Sequence, residues 1–171
     1  MKAPFERLAK AVSLYIILAS SWVLASVQMQ PGARAADLLI PVEGVYLSQI
    51  ADTWGAARSE GRSHEGVDIF AEAGTPIYSA TVGHVEWFGT YGVGGNTVTV
   101  LGAGGVRYYY AHLSGYAEAL TNGQPVTTET LLGYVGNTGN AATTPPHLHF
   151  GVYTGFWNAE NPYPLLVDRA W

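Results

Sequence analysis

The chain contains no cysteine. A disulfide framework is therefore excluded, and so is any metal site that depends on cysteine thiolates. The fold must be stabilised by its hydrophobic core, to which a bound metal could add. A length of 171 residues leaves room for one domain with a substantial core.

Basic residues are also scarce. The chain has 8 basic and 13 acidic residues, and four of the basic ones but only one acid lie within the first 35 positions. The remainder therefore carries four basic residues against twelve acids, a net charge of −8. Because such a surface repels polyanions, we expect no nucleic-acid partner.

No stretch of the chain has the spacing of a long amphipathic helix. Instead, short apolar runs alternate with glycine-containing turns, which predicts a mainly β, antiparallel, single-domain fold with little helix. The expected strands are residues 77–82, 84–88, 96–101, 106–112, 131–135 and 147–153. Residues 36–60 are too few for a domain and are interpreted as a lead segment, so the domain itself is expected to span 61–171, including a C-terminal tail.

Residues 1–35 have the pattern of a secretory signal peptide. Three basic residues precede an uncharged apolar stretch over 11–27, and Ala33-Arg34-Ala35 supplies a site for cleavage before Ala36. The alternative is an uncleaved membrane anchor, because 17 uncharged residues reach the short end of the span that a bilayer requires. Either way the pattern predicts export, with membrane association only if the segment stays attached.

Four of the five histidines fall into two motifs and one isolated position. The first motif is His64-Glu65-Gly66-Val67-Asp68, which superficially resembles a helical zinc signature. A helix is disfavoured because a glycine in its interior costs about 1 kcal/mol, and Val67 favours a strand. In an extended chain His64, Gly66 and Asp68 share one face, with open space at the glycine, while Glu65 points away.

The second motif is His147-Leu148-His149, where a spacing of two places both imidazoles on one face of a strand. The isolated histidine, His112, ends an aromatic strand and is expected to share the face of Tyr108 and Tyr110. The fifth, His84, fits no ligand position and is interpreted as a surface strand residue. Each motif alone is a weak signal, but their joint occurrence favours a catalytic zinc site with three protein ligands and an open fourth position.

These motifs, in this order, resemble the lysostaphin-like (LytM-type) family of zinc metallopeptidases, which cut peptidoglycan cross-bridges. The resemblance covers roughly residues 55–165 and also includes Gly74-Thr75-Pro76, Tyr110-Ala111-His112-Leu113-Ser114, Val135-Gly136-Asn137-Thr138-Gly139 and Pro146-His147-Leu148-His149-Phe150. It implies that His64, Asp68 and His149 bind Zn²⁺, and that His112 and His147 are unligated catalytic residues. It also implies a narrow substrate groove over the metal, for which Tyr91, Tyr110 and Trp157 are candidate lining residues.

The resemblance predicts a periplasmic or secreted, monomeric zinc endopeptidase that acts on peptidoglycan peptides. Two other functions are alternatives. One is a non-catalytic family member that regulates cell-wall amidases, although such members usually lack the zinc ligands. The other is a structural zinc domain, which would need His112 or His147 as a fourth ligand. The sequence leaves open which peptide linkage is cut.

Overall fold

The computed structural model describes residues 35–171, so the expected signal peptide lies almost wholly outside the described part of the chain. Strands and loops dominate. The strands are β1 (Leu38–Leu39), β2 (Val67–Phe70), β3 (Pro76–Tyr78), β4 (Gly83–Tyr91), β5 (Gly95–Leu101), β6 (Arg107–Leu113), β7 (Gly115–Tyr116), β8 (Pro125–Val126), β9 (Leu131–Tyr134), β10 (His147–Thr154), β11 (Asn158–Glu160) and β12 (Leu166–Val167). Single 3₁₀ turns occupy Leu47–Gln49, Ser59–Gly61, Gly92–Gly94, Ala103–Gly105, Gly139–Ala141 and Tyr163–Leu165.

The main sheet has seven strands in the order β11-β10-β6-β5-β4-β8, with β2 also paired to β10. All of its pairings are antiparallel. A second sheet contains β3, β9 and β7, and a short parallel pair joins β1 to β12. The expected mainly β, antiparallel fold with little helix is therefore confirmed. None of the helical turns within residues 35–171 is long or apolar enough to cross a bilayer.

Each expected strand region contains a strand, but one is much shorter than expected. In the region 77–82, β3 ends at Tyr78. The chain then turns, and the Ser79 hydroxyl donates a hydrogen bond to the Thr81 carbonyl at 2.7 Å. A serine that bonds to the backbone locally competes with strand pairing, which explains the early end of β3.

One hydrophobic core contains residues from all three sheets, including Ile77 of β3, Leu132 of β9, Tyr108 of β6 and Phe150 of β10. The lead segment packs into the same core, because Leu38, Ile40 and Val42 are fully buried. A buried arginine of the tail, Arg169, donates hydrogen bonds to the backbone carbonyls of Ile40, Ser79 and Thr128. These hydrogen bonds join the C-terminal tail to the lead segment and to the turns that follow β3 and β8.

A bulge in β6 changes the direction of His112. Opposite Asn96–Val98 of β5, strand β6 has one extra residue between Tyr110 and Leu113. His112 adopts a left-handed conformation with φ of 68°. Bulges of this kind re-aim a side chain. The expectation that His112 shares a face with Tyr108 and Tyr110 is therefore wrong: both tyrosines are buried in the core, while His112 lies beside His147 and His149.

Candidate metal centre

Strand pairing places the two histidine motifs against each other. In the antiparallel ladder between β2 and β10, Asp68 lies directly opposite His149, and Phe70 lies opposite His147. Residues directly opposite each other in such a ladder have their side chains on the same face, within contact distance. His64 precedes β2 and is oriented by its Nδ1–H, which donates to the Thr53 carbonyl oxygen at 2.8 Å.

Three side chains converge on one point. His64 Nε2 lies 2.9 Å from His149 Nδ1 and 3.0 Å from Asp68 Oδ1, and His149 Nδ1 lies 3.2 Å from the same carboxylate oxygen. Two atoms bound to one tetrahedral zinc at its usual bond length would be separated by about 3.3 Å. The triangle is therefore close to one face of a zinc coordination sphere.

The protonation of His64 fits a metal ligand. Because a carbonyl oxygen can only accept, the bond from Nδ1 to Thr53 fixes the proton on that nitrogen, and the neutral ring presents a lone pair at Nε2. A carboxylate oxygen and a second imidazole complete the triad, which is buried apart from a partly exposed His149. Two nitrogens and one oxygen are a donor set that suits zinc.

Asp68 is held in its ionised form. Burial alone would raise the pKa of its carboxyl group, but the contacts of the carboxylate with the His149 and His64 rings, and the positive charge that these rings carry when protonated, outweigh burial and hold the pKa well below its usual range. On the other oxygen, Oδ2, the carboxylate also accepts a hydrogen bond from Nη2 of Arg58. Asp68 is therefore available as a charged metal ligand through Oδ1.

Two further histidines lie beside the triad. The ring of His112 is 5.1 Å from that of His147 and 5.9 Å from that of His149, measured between centroids. The Nδ1–H group of His112 donates to the Thr138 carbonyl oxygen at 2.9 Å, and that of His147 donates to the Pro145 carbonyl oxygen at 2.8 Å. Both neutral rings are thereby fixed as the tautomer with a lone pair at Nε2.

Neither His147 nor His112 approaches Asp68 Oδ1 as closely as the other two members of the triad do. His147 Nε2 is 3.9 Å from Asp68 Oδ1, farther than any edge of the triangle. His112 forms no such contact with the carboxylate, and burial, followed by the charges of His149 and His147, lowers its pKa to about 4. At neutral pH the His112 imidazole is therefore uncharged and able to accept a proton.

The triad and the two further histidines, His112 and His147, line one cavity of about 800 Å³. This volume is within the range of ligand-binding sites. Tyr91 and Trp157, two of the three tyrosine and tryptophan residues expected to line a groove, do line it. The third expectation is wrong: Tyr110 is fully buried, and its hydroxyl accepts a hydrogen bond from the Ala80 N–H at 2.9 Å.

The lining residues that were missed in the sequence include Arg58, Tyr109 and Tyr153. Tyr109 could have been found by alternation, because it must face away from its buried neighbours Tyr108 and Tyr110. Tyr153 continues the face of His147 and His149 along β10 in the same way. For Arg58 the only sequence signal is the scarcity of basic residues.

Comparisons with known proteins agree with this geometry. Residues 62–162 match the model of Peptidase family M23. The chain is 40% identical over 150 residues to an L-Ala–D-Glu endopeptidase of Bacillus subtilis (strain 168), covering 82% of this chain and 44% of that protein.

Solved structures give the same result. The catalytic domain of the antimicrobial peptidase lysostaphin from Staphylococcus simulans superposes with a TM-score of 0.62 and 30% identity, over 69% of this chain and 92% of that one. Csd3 of Helicobacter pylori superposes with a TM-score of 0.61 and 32% identity, over 79% of this chain and 35% of that one. The chain spans less than half the length of the curated relatives it matches. With more than half of its residues matching the family model, the chain belongs to Peptidase family M23.

Proposed function

We propose that this protein is a zinc-dependent endopeptidase that hydrolyses peptide bonds of bacterial peptidoglycan. Membership of the peptidase family supports the reaction class. Relatives named as an L-Ala–D-Glu endopeptidase and as lysostaphin support a cell-wall peptide as substrate. The observation that carries the proposal is the grouping of two imidazoles, each with a free Nε2 lone pair, beside a convergent His-Asp-His triad.

His64, Asp68 and His149 would hold the metal, through Nε2, Oδ1 and Nδ1 respectively. When bound there, zinc supplies Lewis acidity that polarises the scissile carbonyl and lowers the pKa of water. The cavity leaves space beside the triad, as a catalytic site with three protein ligands requires.

His112 and His147 would carry the proton. Hydrolysis forms a bond from the water oxygen to the carbonyl carbon, breaks the bond from that carbon to nitrogen, and moves one proton from the water to the departing amine. An imidazole that accepts at Nε2 and then donates from Nε2 can perform this transfer, which contributes about 10²–10⁴-fold in rate. Both rings are anchored through Nδ1, so Nε2 is the nitrogen that exchanges the proton.

We also propose that the protein acts outside the cytoplasm, after export directed by residues 1–35. N-terminal sequencing of material from the native soluble and membrane fractions tests this part of the proposal. A mature soluble protein that begins at Ala36 would support cleavage. A full-length product found only in membranes would replace the signal peptide with an anchor.

The activity is tested by incubating the purified protein with peptidoglycans from several organisms and analysing the fragments by mass spectrometry. New amino and carboxyl termini are expected within the peptides, a chelator should abolish their release, and added zinc should restore it. If the zinc-loaded protein leaves every peptidoglycan uncut but stimulates a separate wall amidase, the regulatory function replaces the enzyme.

A further inference from the structure

The four arginines of the acidic part of the chain are divided between structural roles and the metal cavity. Arg107 forms hydrogen bonds of 2.8–3.0 Å to both carboxylate oxygens of Glu86. Arg169 is buried and bonded to backbone carbonyls. The other two, Arg58 and Arg62, both line the cavity that contains the metal centre. The cavity therefore has positive charge at its edge in a protein segment that is otherwise strongly acidic.

Arg58 is held in a fixed position relative to the triad. A short hairpin connects it to His64: the Arg58 N–H donates to the Arg62 carbonyl, the His64 N–H to the Ala56 carbonyl, and the Gly55 N–H to the His64 carbonyl, each at 2.9 Å. Its Nη2 group also donates to Asp68 Oδ2. The guanidinium is thereby fixed beside the carboxylate that would bind zinc.

The contact with Asp68 leaves most of the N–H donors of the Arg58 guanidinium free. An arginine has five N–H donors in a planar fork, and the hydrogen bond to Asp68 engages one nitrogen. The side chain remains 37% exposed, and the residue lines the cavity. The remaining donors are therefore open to a substrate bound over the metal centre. A fork with free N–H groups is the arrangement that binds a carboxylate most strongly.

We propose that Arg58 is a specificity residue that recognises a free carboxylate on the substrate residue adjoining the scissile bond. This inference rests on the proposed function. In peptidoglycan, the D-glutamate that follows L-alanine continues the chain through its side-chain carboxyl, so its α-carboxylate is free and lies next to the amide nitrogen. A glycine bridge has no such group. The substrate class assigned to this chain is therefore a peptidoglycan peptide with a free carboxylate on the residue after the cleaved bond, and unamidated D-glutamate is the case that we test.

Arg58 adds positive charge in surroundings that otherwise repel anions. Beyond residue 35 the net charge is −8, and Glu65 also lines the cavity. A bound zinc ion would itself offset part of this acidic field at the metal, and Arg58 adds a second positive charge beside it. Arg58 offsets that repulsion locally and, unlike a lysine, also fixes the orientation of the bound carboxylate.

The test compares two soluble peptides that differ in one group: L-alanyl-γ-D-glutamyl-lysine and its analogue with D-isoglutamine, in which the α-carboxylate is an amide. The zinc-loaded full chain should cleave the carboxylate peptide with a kcat/KM at least about tenfold higher, mainly through KM, because a charge-assisted bidentate contact is lost in the amide. Arg58→Met should remove this preference, and Arg58→Lys should restore part of it.

Arg62→Met is the matched control, since it removes the same charge from the same hairpin without a contact to Asp68. It should keep the preference within about threefold, because an exposed charge is screened by salt. Zinc content and the thermal midpoint are measured for every variant. Equal losses for both peptides in Arg58→Met would show that Arg58 only positions Asp68.

Equal cleavage of both peptides by the unaltered protein would overturn the inference and leave the proposed function intact. Loss of the preference in Arg62→Met but not in Arg58→Met would overturn the assignment to Arg58. If neither peptide nor whole peptidoglycan is cut, the proposed function itself fails, and the inference fails with it.

Discussion

Gly66 lies directly against the imidazole of His149. A Cβ atom at position 66 would be 2.6 Å from His149 Cε1, 2.8 Å from His149 Nε2 and 2.6 Å from the Phe150 carbonyl oxygen. Gly66 lies between His64 and Asp68 in the sequence. Because it has no side chain, the ring of His149 can pack against it and reach the other two members of the triad. The space expected at Gly66 is thus filled by a ring from the neighbouring strand.

Gly66→Ala should displace His149 and weaken zinc binding. The backbone oxygen cannot move away easily, so the overpacking should also lower the free energy of unfolding by about 1–3 kcal/mol. Zinc content after dialysis and urea unfolding measure the two effects. Gly115→Ala is the control, since nothing lies within 4 Å of a Cβ at that position. Zinc binding equal to that of the control would contradict the proposed role of Gly66.

His149→Ala should strongly reduce bound zinc, because it removes one of the three convergent ligand atoms. Metal analysis of the purified variant provides the measurement. His84→Ala is a suitable control, because this histidine is partly exposed on β4 and is not a member of the triad. Full zinc retention in His149→Ala would exclude this residue as a ligand.

His112→Ala should retain zinc but lose most of its peptidase activity, by about 10²–10⁴-fold, because the variant lacks a proton-transfer group rather than a ligand. The two quantities are measured on the same preparation by metal analysis and by peptide release. A loss of zinc in this variant would instead make His112 a ligand and support the closed structural site.

The stability of the metal-free protein should fall as the pH is lowered from about 6.5 to about 4. Burial and then the neighbouring histidines lower the pKa of His112 to about 4 from 6.5, so the unfolded chain binds more protons than the folded one in this window. The stabilisation is complete above pH 6.5. One proton changes the unfolding free energy by about 1.4 kcal/mol per pH unit.

Urea unfolding of the metal-free protein at several pH values measures this slope. His112→Ala should have a shallower slope, although some dependence should remain because burial also lowers the pKa of His149. Asp68 adds to the slope only at the acidic end of this range, since the stabilisation from its lowered pKa is lost from about pH 5 downward, through its ordinary value of 3.8. An unchanged slope in His112→Ala would contradict the assignment to His112.

The sequence predicted the fold class and two pairs of residues on a shared face, because both depend on local periodicity, whereas the choice of His64, Asp68 and His149 as one triad came from the resemblance to the family. Alternation along an extended chain is enough to place His64 and Asp68 on one face of their segment. It likewise places His147 and His149 on one face of a second segment. The direction of His112 was not predictable in this way. It depends on one extra residue in β6 relative to β5, and the register between two strands cannot be obtained from the alternation within either.

The contact between Arg58 and Asp68 was missed for a similar reason. It depends on how the hairpin over residues 55–64 folds back beside β2, which is a matter of tertiary structure. Tyr110 illustrates the opposite error. An aromatic residue beside a motif was assigned to the groove, although its own strand alternation, with Tyr108, places it in the core.

The carbonyls that anchor the two catalytic candidates both belong to the connection between β9 and β10. Thr138 orients His112, and Pro145 orients His147, each through a backbone oxygen. Every residue has a backbone carbonyl oxygen. The sequence of this connection can therefore change while both histidines keep the same tautomer. An insertion or deletion within it would be different: by moving either carbonyl, it would alter the basicity of a histidine that it does not contain. The length of this loop, more than its composition, therefore constrains the orientation of both histidines.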